Sequence, residues 1–148
     1  MFLTRVRNFS RLPGAEKALA LRAILLLVFT RVALRLLPFD RAHALIAGRP
    51  AHGARSGSAS PRAVRRAVLR ASRSLPGSSC LAQSLVAERL LREGGHAARF
   101  SIGVADACAA DETRVTLDAH AWVESGGVLV TGDDARERYR ILATFGAE

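Results

Sequence analysis

Cys80 separates a turn-forming sequence from an apolar, helix-patterned run in the stretch PGSSCLAQSLVAERLLREGG, residues 76–95. Ser78 or Ser79 can cap a helix that begins here, because a serine hydroxyl accepts a hydrogen bond from a first-turn N–H group. The thiol then lies in or beside the first turn, where unpaired N–H groups and the helix dipole stabilise a thiolate and a developing oxyanion. A lone cysteine is more often a core residue, but this placement makes Cys80 a candidate nucleophile.

His120 lies in DAHAWVE, whose alternation predicts a strand with Asp118, His120, Trp122 and Glu124 on one face. A neutral imidazole can take the proton of a thiol and return it to a leaving amine. Taken alone, such a histidine is more often a half-buried part of a sheet. Together with Cys80, it forms a candidate nucleophile and base.

A carboxylate that orients the base is expected on the next strand. If Gly126-Gly127 are the central residues of a tight hairpin, Asp133 pairs directly with His120. A turn at Ser125-Gly126 would instead place Thr131 opposite the histidine, with Asp133 diagonal to it on the same face. Both registers favour Asp133 as the third member of a Cys-His-Asp triad.

Two other aspartates are close in sequence but less suitable. Asp134 points to the other face of the sheet in these registers. Asp118 is on the strand of His120 itself, ~7 Å away and pointing in parallel, which is poor geometry for orienting the ring. We therefore rank both behind Asp133. The chain order of nucleophile, base and carboxylate suits acyl transfer through a thioester.

Helices are predicted on both sides of a loop rich in Gly, Ser and Pro. Residues 15–37 form one long helix that Pro38 ends, and a shorter helix leads to Gly48. The loop, residues 49–60, has no apolar period. Ser60 and Pro61 then start a helix, and its apolar side is predicted from four residues: Val64, Ala67, Val68 and Ala71.

After the Cys80 helix ends at Gly94-Gly95, the pattern becomes strand-like. Strands are predicted in four segments: 97–105, 116–124, 127–132 and the YRILATF sequence near the C-terminus. The 148 residues suit one domain, predicted to be α+β with the nucleophile helix packed on an antiparallel meander. We divide it into an N-terminal helical segment (1–48), a linker (49–60) and a core (61–148).

Arginine dominates the charge of the chain, which has 22 Lys+Arg against 13 Asp+Glu and a formal charge of +9. Such a surface attracts polyanions, but it also keeps a small protein soluble, and we predict no nucleic-acid partner. Five arginines form one side of the helix after Ser60: Arg62, Arg65, Arg66, Arg70 and Arg73. We interpret this row as a solvated face, with a docking surface for an acidic peptide as the alternative.

Cysteine usage and hydropathy favour the cytoplasm. Cys80 and Cys108 allow at most one bridge, so nothing indicates a disulfide-stapled secreted module. The run AILLLVFT lies between Arg22 and Arg31 and is far below the ~20 residues that a bilayer requires. It also lacks the cleavage pattern of a signal peptide. We expect at most weak membrane association, and a helix this apolar must be covered by the domain or by a partner.

Two segments, SSCLAQSLVAERLLREGGHAARFSIGVA and LDAHAWVESGGVLV, resemble the transglutaminase-like leader peptidases of lasso-peptide biosynthesis. The resemblance covers about residues 60–135 and is carried by SCL around Cys80, the helix end at GG, the IGV strand and the AHAWVE block. It implies a papain/transglutaminase-like fold with Cys80 as nucleophile, His120 as base and Asp133 as the third member. Family members vary in the hairpin that precedes Asp133.

The implied reaction removes the leader from a ribosomally made precursor peptide through a thioester, with no metal or other cofactor. The freed core is then the substrate of an ATP-dependent, asparagine-synthetase-like cyclase. Residues before 60 show no strand meander of a leader-recognition domain. The resemblance therefore implies a separate recognition protein, which we expect to dock near the apolar N-terminal helix or the arginine row.

Three other functions remain open from the sequence. Metal binding could use Cys80, Cys108, His43, His96 and His120, although no pair has the close spacing of a zinc site. A transglutaminase-like acyltransferase would use the same triad but deliver the acyl group to an amine. A non-catalytic peptide- or RNA-binding adaptor would use the basic helix and leave the cysteine inert.

Overall fold

The computed structural model describes residues 13–48, 58–105, 118–132 and 134–146. Within these ranges the helices are α1 (Gly14–Leu36), α2 (Phe39–Ala47), α3 (Pro61–Ser74) and α4 (Cys80–Glu93). The bend between α1 and α2 falls at Pro38, as predicted, because proline cannot continue the hydrogen-bond ladder of a helix. Ser60 caps α3 through a bond from the N–H of Ala63 to its Oγ.

Four antiparallel strands form one sheet in the order β3-β2-β1-β4. They are β1 (Arg99–Ala105), β2 (Asp118–Ser125), β3 (Val128–Thr131) and β4 (Arg140–Phe145), with a 3₁₀ helix, Asp134–Arg138, before β4. The predicted α+β class is confirmed. The predicted meander is confirmed for β1, β2 and β3 only. The last strand, β4, pairs with β1 at the opposite edge of the sheet.

Helices α3 and α4 pack against the sheet, α1 and α2 pack mainly against these helices, and α4 lies at the centre of the core. Eight of its side chains are buried: Ala82, Ser84, Leu85, Val86, Ala87, Glu88, Leu90 and Leu91. They pack with core residues of the sheet such as Phe100 and Val123. All four residues predicted for the apolar side of α3 are buried. The Cys80 helix is thereby held in the core of the domain.

The arginine row of α3 lies at the surface, with Arg62, Arg66 and Arg73 exposed, and three of its members also bond other elements of the protein. Arg66 and Arg70 donate hydrogen bonds of 3.2 and 3.1 Å to the carboxylate of Glu16 in α1. Arg65 donates to the backbone carbonyl of Leu129 in β3 at 2.8 Å. The hydrogen bond from Arg70, followed by that from Arg66, lowers the pKa of Glu16. These arginines therefore join α3 to α1 and to the sheet.

A buried carboxylate joins α2 to α4. Glu88 is fully buried, and its Oε2 lies 3.0 Å from Nε2 of His43 while its Oε1 lies 2.7 Å from Arg92. The His43 ring packs between aromatic rings, with centroids 5.7 Å from that of Phe39 and 4.7 Å from that of Phe145. A buried charge needs such partners, so this cluster fixes α2 against the helix that carries Cys80.

The outward side of α1 is apolar and exposed. Six large side chains on it are between 46% and 75% exposed: Leu21, Leu25, Val28, Phe29, Val32 and Leu36. Their spacing places them on one stripe of the helix, which we call the α1 stripe. No helix in the described part of the chain is long and apolar enough to cross a membrane.

Candidate active site

Cys80 is the first residue of α4 and carries a free, half-buried thiol. Of the two predicted caps, Ser79 is the one used: its Oγ accepts a hydrogen bond of 3.2 Å from the N–H of Ala82. Ser78 instead donates to the carbonyl of Leu75. A helix supplies no carbonyl for its first N–H groups, so those of Cys80 and Leu81 lie beside the thiol, where an oxyanion could bind them.

The turn before Cys80 is held by two side chains. Arg31 of α1 donates a hydrogen bond of 3.1 Å to the carbonyl of Pro76. Gln83, in the first turn of α4, donates one of the same length to the carbonyl of Ser78. The long N-terminal helix therefore contributes directly to the position of the segment that leads into the candidate nucleophile.

The short turn between Glu93 and Arg99 reverses the chain between α4 and β1, and β2 is antiparallel to β1, so α4 and β2 run in the same direction. They are joined one helical turn after Cys80. The hydroxyl of Ser84 donates a hydrogen bond of 3.1 Å to the carbonyl of Ala121 and lies 2.9 Å from the hydroxyl of Thr131. Cys80 lies one helical turn, ~6 Å, before Ser84, and His120 lies one residue, ~3.3 Å, before Ala121. Cys80 and His120 are thus at the same end of the helix-on-sheet layer.

His120 is half-buried, and its ring lies among other aromatic groups. Its centroid is 5.1 Å from that of Tyr139 at an interplanar angle of 25°, and 6.4 Å from that of Trp122. The Nε2 atom is directed towards Gly132, since a Cβ built on this glycine would lie 3.6 Å from it. The end of β3 therefore approaches one specific nitrogen of the candidate base.

The hairpin between β2 and β3 has the predicted turn but not the predicted register along its whole length. Gly126 and Gly127 both have positive φ, as a two-residue hairpin of this kind requires. A β-bulge then shifts the pairing, so that Glu124 pairs with Leu129 but Val123 with Thr131. The unbroken ladder from which the pairing of His120 with Asp133 is derived is therefore wrong beyond Glu124.

The bulge has a physical reason in the core. Val130 is its extra residue, and this side chain is buried among core residues, while the neighbouring Thr131 reaches Ser84. A regular strand would point these two neighbours to opposite faces. Asp133 lies outside the described residues, so its role stays a prediction, supported by its place next to Gly132.

Asp118 has other partners than the histidine. Its Oδ2 accepts hydrogen bonds of 3.1 Å from the hydroxyl of Tyr139 and 3.3 Å from Arg138. Asp134 begins the 3₁₀ helix that follows β3. The ranking of Asp133 ahead of Asp118 and Asp134 stays a prediction.

Sequence reasoning missed three side chains that support the site: Arg31, Ser84 and Tyr139. A signal for Ser84 was present, because a polar residue one turn after Cys80 falls on the apolar side of α4 and needs a partner there. Tyr139 is the only tyrosine of the chain, but its contact with β2 depends on the pairing of distant strands. In the sequence, Arg31 stands out only as a boundary of the apolar run.

His43 and His96, the other histidines within the described ranges, have structural partners. His43 bonds Glu88, and Nε2 of His96 lies 3.0 Å from the carbonyl of Ala59. Among the described ranges, no group of three His, Cys, Asp or Glu side chains is placed to hold a metal ion. Cys108, a further candidate ligand, lies outside those ranges. A cavity of about 480 Å³ borders the opposite end of α4, at Leu90 and Glu93, away from Cys80.

The family model described as "Transglutaminase-like superfamily" matches residues 24–144. The match begins within α1 and ends within β4, so it includes Cys80 and His120. Comparison with curated proteins and with solved structures gives no match.

Proposed function

The chain belongs to the transglutaminase-like superfamily, which includes cysteine peptidases and acyltransferases, and from this premise we propose that it is a cysteine endopeptidase. Its substrate is a ribosomally synthesised lasso-peptide precursor, from which it removes the leader. The observation that carries the proposal is the bond between Ser84 and Ala121, because it aligns the Cys80 end of α4 with the His120 end of β2. The sequence resemblance supplies the choice of substrate.

The first half of the reaction forms a thioester. The thiol proton of Cys80 moves to His120, and the sulfur attacks the carbonyl carbon of the last leader residue. Since Nε2 faces Gly132, Nδ1 is the nitrogen assigned to this proton. The N–H groups of Cys80 and Leu81 bind the oxyanion of the tetrahedral intermediate. Its collapse breaks the peptide bond, and His120 returns the proton to the leaving amine of the core peptide.

The second half hydrolyses the thioester. His120 takes a proton from water, and the hydroxide oxygen attacks the thioester carbonyl carbon. The carbon–sulfur bond breaks, the thiol of Cys80 regains a proton and the leader leaves as a carboxylic acid. Asp133 is assigned to hold the ring of His120 in the tautomer that these steps use. The released core then carries the free N-terminus that an ATP-dependent, asparagine-synthetase-like cyclase requires.

In this proposal, the recognition protein that presents the leader binds to the α1 stripe. An exposed apolar surface of this extent is typical of a protein-binding face. In the alternative surface, the arginine row, three of the five side chains already bond Glu16 or the carbonyl of Leu129. Arg31 lies on α1 beside the stripe and bonds the turn before Cys80, so a partner docked there would be close to the site of cleavage.

The test is a reconstitution with the short peptide, the small recognition protein and this protein, the first two taken from neighbouring open reading frames. Mass spectrometry should show separate leader and core fragments. Cys80→Ala and His120→Ala should abolish cleavage with unchanged circular dichroism, whereas Cys108→Ser serves as the matched cysteine control and should cleave normally. Cleavage by folded Cys80→Ala would contradict the mechanism, and neighbouring genes without a short peptide would contradict the substrate.

Oxygen-18 water separates hydrolysis from acyl transfer. A peptidase incorporates one oxygen-18 atom into the new leader carboxylate. A transglutaminase-like acyltransferase would instead release ammonia from a glutamine side chain and leave an isopeptide bond. An inert adaptor would show neither product, and its Cys80 would be alkylated slowly at neutral pH.

The docking face is tested separately with Leu25→Glu, which places a charge in the centre of the α1 stripe. We expect weaker binding of the recognition protein and slower cleavage of the mixture. Leu142→Glu is the matched control, since Leu142 is also exposed but lies on β4. Equal effects of the two substitutions, or equal cleavage without the recognition protein, would contradict the assignment.

A further inference from the structure

The ring of Tyr139 reaches His120 across an intervening strand. Tyr139 immediately precedes β4, whereas His120 lies on β2, and β1 separates these strands in the sheet. The two ring centroids are nevertheless 5.1 Å apart, and the planes differ by 25°. Such a contact requires that β1 leave space at the crossing point.

Gly103 of β1 leaves this space. It pairs directly with His120 in the register of β1 and β2. A Cβ atom at this position would lie 2.9 Å from Cβ of Tyr139 and 3.0 Å from Cη2 of Trp122. These approaches are shorter than packed carbon atoms adopt. A side chain at residue 103 would therefore displace Tyr139, Trp122 or both, and with them the groups beside the histidine ring.

Asp118 fixes the far end of the same tyrosine. The hydroxyl of Tyr139 donates a hydrogen bond of 3.1 Å to Oδ2 of Asp118. Arg138 donates to the same oxygen at 3.3 Å. Because Asp118 and His120 are two residues apart on β2, the tyrosine is anchored to the strand that carries the histidine. Its ring therefore keeps a defined place relative to the imidazole.

We infer that Tyr139 is a positioning residue for His120. Asp118 holds its hydroxyl, and the absence of a side chain at Gly103 leaves space for its ring. The inference rests on the proposed function, in which His120 exchanges protons with Cys80. The stacked phenol restricts rotation of the imidazole and so keeps the ring in the orientation in which Nε2 faces Gly132. Asp118 then contributes to the site through Tyr139 rather than by bonding the histidine.

The inference is tested with Tyr139→Ala, which removes the ring, and Tyr139→Phe, which removes only the hydroxyl. Gly103→Ala introduces the obstructing methyl group, and Leu142→Ala is an exposed control on β4. Three quantities are measured at equal amounts of folded protein: the ring-proton NMR shifts of His120, the pH profile of Cys80 alkylation by iodoacetamide, and kcat and KM for precursor cleavage.

For Tyr139→Ala we expect the His120 ring protons to move downfield, because the ring current of the phenol is lost. The alkylation profile should shift, and kcat should fall by up to about 10²-fold at a similar KM, as for a misplaced catalytic group. Gly103→Ala should act in the same direction. Tyr139→Phe should rescue most of the NMR shift and lose only a few-fold in kcat.

Unchanged His120 resonances and an unchanged alkylation profile in Tyr139→Ala would overturn the inference. The inference would also be overturned if Leu142→Ala lowered kcat as much as Tyr139→Ala does. The NMR and alkylation measurements need no precursor peptide. If the wild-type protein cleaves no precursor while Tyr139→Ala still shifts both signals, the proposed function fails and the positioning role stands.

Discussion

The hydroxyl of Ser84 donates a hydrogen bond to the carbonyl of Ala121, the residue that follows His120. Both groups are buried, and Thr131 completes the contact. Ser84→Ala should lower the free energy of unfolding by about 1–3 kcal/mol, because it leaves a buried carbonyl without its donor. Urea denaturation measures this loss, and cleavage should also slow as α4 and β2 lose their alignment.

Thr131→Val provides the matched comparison, and the double variant Ser84→Ala/Thr131→Val completes a thermodynamic cycle. The two single losses should not add, since the hydroxyls contact each other. Additive losses would mean that the two residues act independently, contrary to the geometry.

The third member of the triad is tested by three parallel substitutions to asparagine. Asp133→Asn should lower turnover by as much as about 10⁴-fold, the known effect of the corresponding change in a serine protease. Asp118→Asn should cost only a few-fold, because the amide oxygen can still accept the bond from Tyr139. Asp134→Asn should have little effect. Cleavage assays with equal amounts of folded protein and of recognition partner rank the three variants by turnover. If Asp118→Asn abolishes cleavage while Asp133→Asn has a mild effect, Asp133 is not the third member of the triad.

The bond from Arg31 to Pro76 predicts a distant effect on the nucleophile. Arg31→Met should slow the alkylation of Cys80 and lower kcat by about 10-fold, because the turn before α4 loses a tether and the thiol its position. Stability should change by only about 0.5–1.5 kcal/mol, as expected for one hydrogen bond. Arg35→Met, an exposed arginine on the next turn of α1, is the control. Indistinguishable alkylation rates for the two variants would contradict this role.

The contact of Glu16 with Arg70 and Arg66 predicts an acid-dependent stability. Its pKa in the folded protein lies below the ordinary value of 4.5, so ionised Glu16 stabilises the fold above that value. The contribution is lost as the pH falls through the folded pKa. The difference in urea midpoint between wild type and Glu16→Gln should therefore be constant near neutral pH and shrink below about pH 4. Glu137→Gln, at an exposed position, should show no such trend.

Local sequence patterns were sufficient for the helices and for most of the strands. Ser60-Pro61, Ser79 and Gly126-Gly127 each act through a backbone requirement of one or two residues. The first stands where the sequence predicts, and the other two are each one of two alternatives that the sequence leaves open. The side of α3 that becomes buried also follows from its spacing. These features depend on neighbouring residues along the chain, which is why one sequence can reveal them.

The features that the sequence did not reveal depend on distant packing. The bulge at Val130 arises because two consecutive side chains of β3, Val130 and Thr131, both pack towards the helices. No glycine in the sequence indicates it. The pairing of β4 with β1, and with it the place of Tyr139, depends on how the sheet closes after the 3₁₀ helix. The partner of the α3 arginines, Glu16, is about fifty residues away in sequence.

Helix α4 carries Cys80, Ser84 and Glu88 at intervals of four residues, and the latter two bond Ala121 and His43. These two bonds set the rotation of the helix about its own axis. Each residue of an α-helix turns by about 100°. Inserting one residue between Cys80 and Ser84 would therefore swing the thiol by about 100° while both bonds remain. The side of the helix on which the thiol lies is thus determined by bonds in the interior of the protein, while the turn before the helix holds its first residue in place.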